Sequence, residues 1–200
     1  MRLDELTIKS ADRYTPRDTT HELAWVDFKT LLKKPSTKVV TTNNPNIRLL
    51  VARRFGRNIS VYILAKQRPT DPYDAEHAVR IPHHGYAVGF ANLIRPTPLK
   101  NGPAFSDSVY TPHSGLMQHV IGQGYMKAVY RWVLEAGNHL VTGDIQTPAS
   151  NALWKSLASE FEVQFIDDQG KAIDNPSPER AQQKDVRILL KGTGNAPVFK

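Results

Sequence analysis

The chain has 200 residues, 40% of them hydrophobic and 22% charged, with 26 Lys and Arg against 19 Asp and Glu for a formal net charge of +7. That length suits one domain with a sizeable core, and no apolar run approaches the ~20 residues needed to span a bilayer. The absence of cysteine excludes disulfides, thiolate metal sites and a cysteine nucleophile.

The basic balance favours anionic partners: nucleic acid, a nucleotide cofactor or an acidic protein. Short pairs such as Lys33-Lys34 and Arg53-Arg54 do not amount to a polybasic tail. The stretch Met1-Arg2-Leu3-Asp4-Glu5 lacks a signal-peptide core, so a cytoplasmic location and no membrane partner are expected.

In chain order, Leu6-Thr7-Ile8-Lys9 reads as a first strand. Thr19 and Glu22, three apart, fit a capping box. Leu23, Ala24, Phe28 and Leu31 then supply one apolar helix face up to Lys33-Lys34, and Pro35 ends it. Residues 47–54 and 58–65 read as two hairpin strands, the second apolar on both faces as a central strand requires. Residues 67–84 are polar and carry Pro69, Pro72 and Pro82, which predicts a long mobile surface loop or lid. Within it, His83 or His84 suits a general base, because imidazoles titrate near neutrality. With no cysteine, no H-x-x-x-H helix and no carboxylate-rich motif, no metal site is expected.

Residues 85–95 read as a further strand, 96–103 as a turn-rich connection, and 105–110 as the strand at the centre of the sheet. The segment His119-Val120-Ile121-Gly122-Gln123-Gly124-Tyr125 follows. It leads into a helix predicted over 125–136, with Ala128, Val129, Trp132, Val133 and Ala136 as its apolar stripe and Lys127, Arg131 and Glu135 facing solvent. Gly137-Asn138 stops that helix. Residues 139–142 form a short strand, Gly143-Asp144 a turn, and Thr147-Pro148 open another helix with Ala149, Ala152, Leu153 and Leu157 on its buried side. A C-terminal hairpin with a long insertion covers 161–190, and 192–200 reads as a loose end. The strand–glycine loop–helix unit is a device for holding phosphate, since backbone amides converge where the helix N-terminus adds partial positive charge.

This order of parts resembles the GNAT family of acetyl-coenzyme A-dependent acyltransferases. The strand exit Val109-Tyr110-Thr111-Pro112, the loop His119-x-x-Gly122-x-Gly124 and the helix pattern Thr147-x-x-Ser150-x-x-Leu153-Trp154 carry the likeness, which is best over 85–157. Gly143-Asp144, Gln146 and Leu153-Trp154 look more narrowly like the GNAT-like proteins encoded by bacteriophages. The resemblance implies a single α/β (α+β) domain over 1–200, with a mixed, mainly antiparallel sheet whose central strands splay, flanked by helices. It implies N-acyl transfer from acetyl-CoA or another acyl-CoA to an amine-bearing small molecule or protein, directly in a ternary complex, in the host cytoplasm for a phage product. It places the coenzyme pyrophosphate on His119, Val120, Ile121, Gly122, Gln123, Gly124 and Tyr125 and the pantetheine arm on Val109 and Tyr110. Asp144, His84 and His83 are the candidate proton acceptors, and His21, Trp25 and Asp27 candidate lining residues of the acceptor groove. Three positions depart from the pattern: His119 stands for Arg or Gln, Trp154 for a Tyr general acid, and Thr147 for Asn. The binding half is thus better kept than the catalytic half. Two alternatives follow, a catalytically reduced protein that docks on a host protein and a nucleic-acid binder or modifier on the same fold.

Overall fold

In the computed structural model, residues 20–53, 58–96, 105–143, 148–167, 169–177, 180 and 186–194 are described. The expected strand at Leu6–Lys9, the capping residue Thr19, the turn acid Asp144 and the cap Thr147 lie outside them. Strands outnumber helices, and the sheet pairing is mostly antiparallel, so the class is mixed α+β. The chain divides into two compact units, one of residues 15–94 and 113–129, the other of 1–14, 95–112 and 130–200.

The first unit is built on β2 (Ile47–Arg53) and β3 (Ile59–Ala65). β3 is buried at every position, because β2 and β5 (Gly85–Ile94) hydrogen-bond to its two edges and its side chains are apolar on both faces. β1 (Thr37–Thr41) pairs outside β2, a strand the sequence reading passed over. The helix expected across residues 19–34 is two short ones, α1 (Thr20–Ala24) and α2 (Phe28–Leu32). Asp27 accounts for the break: its carboxylate accepts the Thr30 amide at 3.0 Å and so starts a new helix rather than continuing the old one. The Phe28 ring packs edge-on to Tyr62 at 5.2 Å.

Residues 67–84 are not one long loop. They hold α3 (Pro72–His77) and β4 (Val79–Ile81), the latter paired with the start of β5. Asp71 caps α3 by accepting the Tyr73 and Asp74 amides at 2.9 and 3.2 Å, and Pro72 takes the first helical position, where its missing N–H costs nothing. β4 returns to β5 through Pro82-His83, with the His84 amide bonded to the Ile81 carbonyl at 3.0 Å and His83 at φ +66°. This is type II turn geometry with a histidine where glycine is usual.

β6 (Val109–Leu116) belongs to both units, its first half to the second unit and its second half to the first. The central strand predicted over 105–110 therefore starts later and runs further. Ser106-Asp107-Ser108 forms a turn instead, with the Val109 amide on the Ser106 carbonyl and the Ser106 and Ser108 hydroxyls 3.1 Å apart. In the second unit, β6 pairs in parallel with β7 (His139–Val141), β7 with β10 (Arg187–Leu190), β10 with β8 (Val163–Ile166), and β8 with β9 (Ala172–Ile173). The predicted C-terminal hairpin is the β8–β10 pair. Its core is Val109, Val141 and Ile166, with Phe105 and Leu189 packed against them.

α4 (Tyr125–Glu135) buries Val129, Tyr130, Val133 and Leu134, so its inward stripe is turned by one residue from the one read off the sequence. Arg131 remains outward, paired with Glu135 at 3.2 Å and Glu160 at 3.1 Å. The helix ends as expected at Gly137, whose φ of +83° lets its amide reach Leu134 and the Asn138 amide reach Val133, a Schellman arrangement. α5 (Pro148–Ala158) buries Trp154 and Leu157, whereas Ala149 and Ala152 are exposed. Residues 192–194 are not loose: the Thr193 amide bonds to Leu134 and the Gly192 amide to His139 Nδ1 at 2.9 Å.

Candidate functional site

The candidate site begins where β6 ends. Met117, fully buried, donates its amide to Val88 on β5, and a 3-10 turn over Gln118–Val120 reverses the chain. Val120 is buried and anchors the turn, while Ile121, Gly122, Gln123 and Gly124 are all exposed. Gly122 and Gly124 sit at φ +86° and +79°, the left-handed region that side chains resist, and the space where each Cβ would stand is open. The Gly124 carbonyl accepts the Ala128 amide at 3.0 Å, which makes Gly124 the residue capping α4. Among the described residues, the amides of Gly122, Gly124 and Tyr125 donate to no group of the chain, leaving three N–H groups beside the positive end of a helix. Burial raises the pKa of Tyr125, so its hydroxyl stays neutral.

His119 and Gln123 shape the loop from within. The Gln123 carboxamide donates to the His119 carbonyl at 3.1 Å. His119 itself is tied to α3, 45 residues earlier. Its amide donates to Asp74 Oδ2 at 3.1 Å, and its Nδ1 lies 3.4 Å from Asp74 Oδ1 and 3.2 Å from Asp71 Oδ1. Asp74 is completely buried and Asp71 partly so, while the His119 side chain is 45% exposed. Sequence reasoning missed this cluster. Its local half was legible, because Asp71-Pro72 followed by Asp74 is a helix-start signal. The three groups bring ligand atoms within 4.8 Å of one another, a spacing a metal ion would also accept. The oxygens are committed to the chain's own donors, Asp71 Oδ1 to two amides and Asp74 Oδ2 to one, so the arrangement reads as a hydrogen-bonded cluster around the imidazole proton.

The other expected residues fall elsewhere. Val109 and Tyr110 are buried and pair in parallel with His139 and Leu140, so the edge assigned to a pantetheine arm is occupied by β7 at these two residues. Beyond Tyr110 no β7 partner is paired with β6. The His83 carbonyl accepts Arg48 Nη1 at 3.1 Å, and His84 keeps a buried Nδ1 without a hydrogen-bond partner. No hydrogen bond or ion pair joins either histidine to 119–125 among the described residues. Asp107 pairs with Arg95. Asp27 is an exposed helix cap, its carboxyl held below the usual range by the Thr30 hydroxyl and amide. Trp25 stands 88% exposed. Trp154 is 2% exposed and packs on Tyr130 with ring centroids 6.0 Å apart. Its indole is part of the core.

Compared with protein-family models, curated proteins and solved structures, the chain matches none.

Proposed function

We propose that this protein binds acyl-coenzyme A through the glycine loop at the start of α4 and transfers the acyl group to an amine. The observation that carries the reading is the loop itself: two exposed glycines with positive φ, open space above each, and unpaired amides at a helix N-terminus. Those amides can take a pyrophosphate without help from the His119 ring, whose Nδ1 is already engaged by Asp71 and Asp74. The β6–loop–α4–β7 order, a strand joined to its parallel neighbour through a helix, further supports it. Transfer needs a base to take the proton from the attacking amine, and His83 and His84 are the described candidates on this reading.

The test is calorimetric titration with acetyl-CoA of the wild type and of Gly124→Glu. The substitution puts a side chain and a negative charge into the space above the loop. Micromolar binding that disappears in the variant is the expected result. Absence of heat in the folded wild type refutes the reading. A second reading, docking on another protein without acyl chemistry, is favoured by Trp25, since an indole 88% exposed is costly to leave in water and is a frequent anchor at interfaces. Nucleic-acid binding, favoured by the net charge of +7, would instead show affinity falling steeply with salt.

A further inference from the structure

We infer that the exposed face around Trp25 is a binding surface for single-stranded nucleic acid, with the indole stacking on a base and the lysines of α2 meeting phosphates. Nothing in this assignment rests on the coenzyme reading. The turn between α1 and α2 sets the geometry. The Val26 amide bonds to the Leu23 carbonyl at 3.1 Å and the Phe28 amide to the Val26 carbonyl at 2.9 Å. Leu23 and Phe28 are buried and Val26 half-buried, while Trp25 stands out between them at 88% exposure. An indole so placed adds nothing to the core, and its ring is open to a ligand.

α2 continues the surface. Its inward positions are Phe28, Leu31 and Leu32, which leaves Lys29, Thr30 and Lys33 exposed. Lys29 and Lys33 are four apart, so they rise from one side of the helix about 6 Å apart along its axis. Lys34, also exposed, follows in the turn that the Thr37 amide closes on the Lys34 carbonyl at 2.9 Å, where β1 begins. Like charges at this spacing repel, yet none of the three lysines forms an ion pair among the described residues. Asp27 bears on Lys29, but its Oδ1 is taken up by the Thr30 amide. Elsewhere cations are matched, Arg131 with Glu135 and Glu160 and Lys191 with Glu162. An acidic protein and a nucleic acid would both answer this charge. Protein interfaces, however, are depleted in lysine and apolar at their centre, whereas the exposed neighbours of Trp25 are Ala24, Asp27, Lys29 and Thr30. An aromatic ring beside a row of cations suits single strands, because every base has a face to stack and every nucleotide a phosphate. In a duplex those faces are covered, so the surface selects unpaired strands.

The experiment is fluorescence-anisotropy titration of the full chain, over a range of salt, with labelled thymidine and uridine oligonucleotides of about 12 nucleotides, a duplex of the same length and poly-glutamate. Both single strands should bind more tightly than the duplex, and a preference between them tells DNA from RNA and supports the surface either way. Trp25→Ala should weaken binding roughly five- to hundredfold with the salt dependence unchanged, and Trp25→Phe should keep most of the affinity. Lys29→Gln, Lys33→Gln and Lys34→Gln together should reduce the slope of log affinity against log salt by about 2, at about 0.7 for each phosphate. All four side chains are exposed, so these variants should fold as the wild type does. No binding of either strand at low salt, or an affinity indifferent to Trp25→Ala, overturns the inference. Poly-glutamate bound with the same dependence on Trp25 overturns it in favour of an acidic protein. Equal binding of the duplex overturns it in favour of charge alone.

Discussion

Gly124 and Gly137 bracket α4 in nearly the same backbone conformation, φ +79° and +83°, and replacing each by alanine should have opposite consequences. An L-residue in the left-handed region costs about 1–2 kcal/mol at either place. At Gly124 nothing lies within 4 Å of the new Cβ, so the cost stops there. At Gly137 the Cβ would stand 2.2 Å from the Gly194 carbonyl oxygen, a backbone atom that cannot swing aside. Residues 192–194 must undock, losing the Thr193 amide bond to Leu134 and the Gly192 amide bond to His139. At about 1 kcal/mol each, these bring Gly137→Ala to about 3–4 kcal/mol. Urea denaturation reads both changes as midpoint shifts at constant m-value. Calorimetry with acetyl-CoA should show the reverse order: Gly124→Ala weakens binding about tenfold or more, about 1.4 kcal/mol, because a methyl group now sits over the amides. Gly137→Ala, assayed where it is folded, binds normally. Equal stability costs, or a larger cost at Gly124, would refute the steric argument.

Two further outcomes follow from single residues. His139 Nδ1 accepts the Gly192 amide and must be unprotonated to do so, and burial, with Lys191 adding to it, holds its pKa below the usual value. The folded chain then binds fewer protons than the unfolded one, so this contribution is complete above about pH 6.5 and is lost as the pH falls below it. The urea midpoint of the wild type should drop more between about pH 7.5 and about pH 5 than that of His139→Asn, and equal drops would dismiss the role. Trp154→Tyr tests the resemblance to the GNAT pattern, which has Tyr there, yet the position is 2% exposed and filled by packing on Tyr130. It should lower stability and add no acyl-transfer turnover with acetyl-CoA, whereas a gain in turnover would show that the position reaches solvent.

The parts of the fold legible in the sequence are those with local, repeated signals. β2, β3 and β5 are long, rich in branched apolar residues and buried on both faces, and all three were found within a residue or two. α4 was found with its stop, because Gly137 has a conformational reason to be glycine. The failures have two causes, local capping signals passed over and burial set by tertiary context. Leu23, Ala24, Phe28 and Leu31 suit one helix as well as two, and only the capping carboxylate of Asp27 decides for two. Residues 67–84 read as loop from their prolines, yet Pro72 is where a helix begins. The stripe of α4 was misplaced by one residue because Ala128 and Trp132 are apolar without being the side chains most buried.

The candidate site divides along the same line, and the division bears on what it can do. Gly122 and Gly124 announce themselves within five residues of chain, since a turn with two left-handed positions has few other solutions. The partners of His119 lie 45 residues away on a helix of six residues, and no periodicity connects them. Read alone, His119 is only a weaker arginine and an argument against phosphate binding. With Asp74 buried beneath its amide and two carboxylates on one ring nitrogen, it becomes a residue that ties the loop to α3. Here the carboxylates beside the ring also subtract from the field an anion would meet. On the coenzyme reading, phosphate would therefore be held by the backbone amides of the loop rather than by the His119 side chain, whose Nδ1 is engaged by Asp71 and Asp74.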